Sequence, residues 1–378
     1  MAIEKFTLHR RSLFAAAASA ALGGLLGFGR REAGAHVSAQ APEATSLISA
    51  ARIDGIDGGA VWSADGLSDF ALPGRAHAVV RLGQSGRVML VGRRPGTFAA
   101  IVDPSALPGS TKFISPVAHF RFAGHAAVDT DGSFVTSELH EETAEGIVVL
   151  RDGASGAARE SWALGGIEPH DVLFAQDGAR LVVALGGIAL AAGVKGPPMN
   201  AGKIESAILE LDPRSGRVLK RHALPSGMQS LSLRHLALAP DGETIVFGMQ
   251  DQDRSRLRPA MGLLRLGRGI ELMPLPSDDE GALRFYIGSV AIDASGCFVA
   301  ATSPKGGMIG LWSLGSGGWL GGAKLADVCG LGADREAGCF WATSGYGDVM
   351  RLRALEGGLA TEAHWRSDAS FDNHLLRI

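Results

Sequence analysis

Along most of the chain the apolar positions fall into short β-prone runs separated by turns centred on glycine, not into stretches of helical period. Outside residues 13–28, no window of a dozen residues sustains a 3.6-residue apolar spacing, so almost no helix is expected. One pattern recurs. A strand-like run, a Gly-centred turn and a second apolar run ending in small or polar residues are followed by further strand-like stretches. Gly124-His125-Ala126-Ala127-Val128-Asp129-Thr130-Asp131-Gly132-Ser133-Phe134-Val135-Thr136 matches His235-Leu236-Ala237-Leu238-Ala239-Pro240-Asp241-Gly242-Glu243-Thr244-Ile245-Val246-Phe247 in this way. The same shape runs from His170 through Gln176-Asp177-Gly178 to Val183, and from Gly288 through Ala294-Ser295-Gly296 to Ala301. Looser copies start at His77 and at Cys329.

These six units begin 41 to 65 residues apart, which is the length of a four-stranded propeller blade with its loops. The ends supply a seventh. Asn373 to Ile378 reads as one isolated inner strand, and Leu47 to Phe70 as three strand-like runs with no inner strand before them. The sequence therefore predicts an all-β, seven-bladed β-propeller of WD/YVTN-like type over residues 36–378, its two ends completing one blade. Two excursions, Ile188 to Ile204 and Gln250 to Pro259, both follow a second strand and should overhang one mouth of the channel, where binding sites tend to form.

Composition adds an address and removes a class of partner. Residues 1–35 carry Arg10-Arg11, an Ala/Gly/Leu stretch from Leu13 to Phe28, and the small-residue site Ala33-Gly34-Ala35, which reads as a twin-arginine signal peptide and places the mature protein in the periplasm. The stretch is short and poor in strongly apolar residues, so no stable membrane insertion is expected after cleavage. The remaining chain has 31 Lys and Arg against 37 Asp and Glu, a net charge of −6. No basic run exceeds two residues, so no nucleic-acid partner is expected.

The chemistry lies in the histidines. His77, His125, His170, His235 and His374 stand at the start of five innermost strands, where Gly288 and Cys329 stand in the other two. Chance would put roughly 0.2 His at seven prescribed positions in this composition. Inner strands converge on the axis, so these imidazoles can share a funnel and ligate a transition metal, with iron, copper and zinc as the candidates. Hydrogen-bonded blade-locking histidines are the competing reading. A wide seven-bladed ring is expected to let only two or three share one ion, with His125, His170 and His235 favoured. Glu138 is the candidate carboxylate ligand or general base; Asp171 orients an imidazole or caps a strand. Arg93 and Arg234 are candidate anion-binding groups, Arg234 pairing with a neighbouring acid as the alternative. Cys329 is a candidate soft ligand. Cys297 and Cys339 read as small buried residues. No Cys-x-x-Cys-His is present, so covalent haem is excluded.

Gly124-His125, Gly165-Gly166-Ile167-Glu168-Pro169-His170-Asp171, Leu185-Gly186-Gly187-Ile188, Ser232-Leu233-Arg234-His235-Leu236-Ala237, Tyr286-Ile287-Gly288-Ser289-Val290-Ala291, Thr302-Ser303-Pro304-Lys305-Gly306-Gly307 and Ala326-Asp327-Val328-Cys329-Gly330 together resemble an uncharacterised bacterial family. It comprises twin-arginine-exported, WD-like propellers often encoded beside imelysin-like and dihaem peroxidase-like proteins of periplasmic iron uptake. The resemblance implies an accessory role in envelope iron handling, with other periplasmic iron-uptake proteins as partners. Three functions are compatible with the sequence: a non-enzymatic metal- or partner-binding accessory protein, which is favoured, a metal-dependent hydrolase or oxidoreductase, and a protein-interaction scaffold.

Overall fold

The computed structural model describes residues 45–378, apart from 108, 110, 190–198, 274 and 276–280. The expected signal segment and most of the excursion after Ile188 lie outside the described residues. No helix among those described is long and apolar enough to cross a membrane.

Twenty-eight strands, numbered β1–β28 along the chain, form seven antiparallel four-stranded sheets. Strands β4–β7 fill residues 76–114, β8–β11 residues 120–167, β12–β15 residues 169–223, β16–β19 residues 231–273, β20–β23 residues 289–324 and β24–β27 residues 328–366. The seventh sheet has the order β28-β1-β2-β3, joining Ser370–Arg377 to residues 46–71. The innermost strands are β4 (Ala76–Arg81), β8 (Phe120–Val128), β12 (Pro169–Ala175), β16 (Leu231–Leu238), β20 (Ser289–Ile292), β24 (Val328–Ala333) and β28. Each touches the next, and β24 touches β28, so the ring closes as the repeats require. The single helical element described is a 3-10 turn at Pro104–Ala106.

The core is not one mass. Seven apolar clusters each fill the wedge between two neighbouring blades. This is why the middle strands read as nearly unbroken apolar runs: both faces of each sheet are covered. The wedge at the closing seam holds Trp62, Trp341 and Trp365, with ring centroids 5.3 to 6.1 Å apart, against Leu47, Phe371 and Leu375. Large aromatic surface thus fastens the strand from the far end of the chain, in addition to its hydrogen bonds with β1 (Ser46–Ile53).

A local irregularity sets the site. Pairing between inner strand and neighbour slips between Ala76 and Val79, Phe122 and Ala126, Pro169 and Val172, Leu233 and Leu236, Val328 and Gly330, and over Phe371 to Leu375. The skipped residues include His77, His125, His170, His235, Cys329 and His374. A bulge leaves a residue out of the ladder and re-aims its side chain. The histidines therefore do not all open their strands, as the repeats suggested; His125, His235 and His374 sit well inside them. Bulges also free carbonyls, and neighbouring hydroxyls take them up. Ser137 Oγ donates to His170 O at 2.8 Å and His125 O at 3.3 Å, Ser49 Oγ to His374 O at 2.8 Å, and Thr302 Oγ1 to Cys329 O at 3.1 Å.

Candidate metal centre

Five consecutive inner strands, β28, β4, β8, β12 and β16, bring their imidazoles onto the axis. Ring centroids of His77, His125, His170, His235 and His374 lie 4.7 to 5.9 Å apart in every pair but His170 and His374. Of the two remaining inner strands, β24 carries Cys329 and β20 is preceded by Gly288. His77, His125, His170 and His235 are buried, while His374 is partly exposed. Nitrogen atoms of four of them, His77, His125, His235 and His374, all lie within 4.8 Å of one another. Two or three ligands were expected from the width of the ring, with His170 among them. Four nitrogens lie close enough together to share an ion, and His170, though part of the ring cluster, stands outside that set.

Seven nitrogens on the five rings are buried with no protein hydrogen-bond partner: both of His77, both of His235, and Nε2 of His125, His170 and His374. An unpaired buried polar group costs about 1–3 kcal/mol, so a purely blade-locking role would leave the cluster with a heavy penalty. Burial, and then the positive potential of neighbouring rings, holds His77, His170 and His235 well below the usual imidazole pKa and His374 at about 3. These rings are neutral at pH 7, the form that ligates a metal.

Carboxylates and cations surround the rings in a fixed pattern. Asp171 Oδ1 lies 3.0 Å from His125 Nδ1 and accepts from Val172 N at 2.8 Å, while Oδ2 accepts from Leu236 N at 2.8 Å. Asp171 thus faces an imidazole, the first of the two roles read for it, and also ties β12 to β16. Desolvation opposes its charge, but His125 wins and its pKa is lowered. Asp372, two residues before His374, faces His77 Nδ1 at 3.9 Å and pairs with Arg75 and Arg93. Sequence reasoning passed over Asp372; the signal was an acid two positions from a bulge histidine in Asp372-Asn373-His374.

Other candidates are placed elsewhere. Glu138 is wholly buried away from the rings, where Oε1 accepts from Arg151 Nη2 at 2.6 Å and Thr136 Oγ1 at 2.8 Å, and Oε2 from Val117 N at 2.9 Å. With its acceptors taken by its own blade it is neither brought to the cluster nor an exposed loop carboxylate; it is a structural anion. Cys329 donates to Phe371 O at 3.2 Å, and desolvation, with Asp372 nearby, pushes its pKa up to about 12. Without an ion the thiol is protonated and, through Phe371 O, helps hold β28 in place; it is not among the four residues whose ligand atoms converge. Arg93 is engaged by Asp372, and Arg234 by Glu168 at 2.6 Å. Of the pair read as small buried residues, Cys339 is buried but Cys297 is exposed, and all three cysteines are free.

Space at the rings is tight. At Gly124, where φ is +105°, an added Cβ would sit 2.9 Å from His77 Cδ2. Gly124→Ala is expected to destabilise by about 1–3 kcal/mol, read by urea unfolding, and to displace the His77 ring. Wild-type stability in this variant would mean that the ring moves freely.

The comparisons can now be set beside this geometry. The family model for proteins of unknown function DUF1513 matches residues 70–378, and the chain belongs to that family. No curated protein matches it in sequence. Among solved structures, hydrazine synthase of Kuenenia stuttgartiensis is similar at a TM-score of 0.60 and 15% identity, over 79% of this chain and 90% of that one. At that identity the likeness is one of fold.

Proposed function

We propose that this DUF1513 propeller is an exported, non-enzymatic accessory protein of the bacterial envelope that holds one transition-metal ion on its axis through His77, His125, His235 and His374. The observation that carries the reading is the set of four imidazoles, three of them buried, whose unpaired nitrogens converge from four different blades. Metal bonds of about 2.0–2.1 Å require these nitrogens to close by little more than an ångström. An all-imidazole set suits iron, copper or zinc and gives no preference to magnesium or calcium. Asp171 supports the assignment, since a carboxylate on Nδ1–H fixes the tautomer that presents His125 Nε2 to the ion. The export address rests on the Arg10-Arg11 segment, and the link to iron handling, with other periplasmic iron-uptake proteins as partners, on the family resemblance.

The test is elemental analysis of protein purified from its native periplasm, followed by reloading after chelation. About one ion per chain is expected, with His125→Ala and His235→Ala each losing most of it. Saturating metal should raise the melting temperature by about 5–10 °C. A metal-free wild type whose melting is indifferent to iron, copper and zinc would refute the proposal.

A further inference from the structure

The fifth ring takes a different part. His170 Nδ1 lies 3.4 Å from Arg234 Nη1. A guanidinium nitrogen only donates, so Nδ1 is the acceptor and the proton of the neutral ring sits on Nε2. Arg234 is not free to turn away: Nη1 also donates to Glu168 Oε1 at 2.6 Å, and Glu168 is held by Arg94 and by Ile188 N at 2.8 Å. All of Arg234, Glu168 and His170 are buried. An Arg-Glu-Arg chain thus dictates one tautomer at His170, whereas the Asp171 carboxylate dictates the opposite one at His125.

An Nε2 that keeps its proton cannot ligate a metal. His170 Nε2 is nonetheless buried without a protein acceptor, and its ring lies 4.7 Å from that of His125, 5.0 Å from His235 and 5.8 Å from His77. A hydrogen-bond donor with nothing to donate to is therefore held among four ligands. Resting on the four-histidine reading above, we infer that His170 donates to a small inorganic anion that binds the metal ion as its exogenous ligand.

The charges around the cluster fit an anion. Arg75, Arg93, Arg94 and Arg234 stand against Asp171, Glu168 and Asp372. Four neutral imidazoles do nothing to offset the charge of the ion, so the centre carries an excess of positive charge. Ring centroids 4.7 to 5.8 Å from that of His170 suit a guest of a few atoms.

The experiment uses the full mature protein loaded with copper(II) and titrated with sodium azide, following the azide-to-copper charge-transfer absorption. His170→Phe is expected to retain one copper per chain and to weaken azide binding about tenfold, the cost of a hydrogen bond to a charged group. His170→Gln, which restores an N–H of similar reach, should recover part of that loss. Azide affinity unchanged in His170→Phe overturns the inference, as does loss of copper equal to that in His125→Ala, which would make His170 a ligand. A wild type that takes up neither copper nor iron nor zinc removes the four-histidine reading itself, whereas copper uptake with azide binding indifferent to His170 removes this inference alone. A measurement without substitution stands beside it: ¹⁵N spectra of metal-free, histidine-labelled protein should show the Nε2–H tautomer at His170 and Nδ1–H at His125, and Nδ1–H at His170 would contradict the inference.

Discussion

Chelator-treated protein should unfold in mild acid, with stability falling steeply between about pH 6.5 and pH 5. His77, His170 and His235 are held well below the ordinary imidazole pKa, and His374 at about 3, in each case first by desolvation. In the unfolded chain all four titrate near 6.5. A depressed folded-state pKa stabilises fully above the unfolded value, and that contribution is lost as pH falls below it, because the unfolded chain takes up protons the folded one refuses. Four such groups approach a slope of about 5 kcal/mol per pH unit, comparable to the whole stability of an ordinary domain. The charged groups facing the rings divide: Asp171 and Asp372 favour protonation, while Arg75, Arg93 and Arg234 oppose it. Urea unfolding at a series of pH values checks the slope. Stability flat over this range would mean that the rings titrate freely in the folded protein. Bound metal should carry the transition to lower pH, since ion and proton compete for the same nitrogens.

The second large effect concerns Glu168. Its carboxylate lies between the guanidiniums of Arg94 and Arg234 and accepts a backbone N–H from Ile188. Burial has already lowered Arg94 to about 9 and Arg234 to about 10, each pressed further by positive neighbours in the case of Arg94. Glu168→Ala leaves buried Arg234 and partly buried Arg94 without their anion, and a loss of about 3–5 kcal/mol is expected. Glu168→Gln, which keeps the shape and the hydrogen bond to Ile188, should cost less, and adding Arg94→Met to it should restore part of the loss by removing one unpaired charge. Denaturant midpoints of the three variants decide the matter. If Glu168→Ala melts like the wild type, the triad carries no stability and Arg234 needs no anchor.

The architecture was legible because it repeats. Gly-centred turns at Gly132, Gly178, Gly242 and Gly296 mark successive first hairpins, and the unmatched strand near His374 requires a partner at the other end of the chain. The histidines were legible for the same reason, since equivalent positions in a ring face a common axis. Their number at the centre was not, because a bulge has no signature of its own in an apolar strand and only pairing across the sheet reveals the slipped register. Glu138 misled for a local reason: a polar residue in an apolar run looks functional until its partner is known, and Arg151 lies on the next strand, where sequence offers no pairing rule. The contrasting tautomers of His125 and His170 depend on Asp171 and Arg234, contributed by neighbouring blades, so contact across blades decided what either ring can do.

Strand β28 carries His374, one of the four rings of the proposed cage, and although it follows the other six blades along the chain it belongs in the sheet begun by β1. The proposed ion site is therefore complete only once β28 has paired with β1. On that proposal, a protease cut that releases this strand would remove one of the four ligands at a stroke and tie retention of the ion to the integrity of the covalent chain.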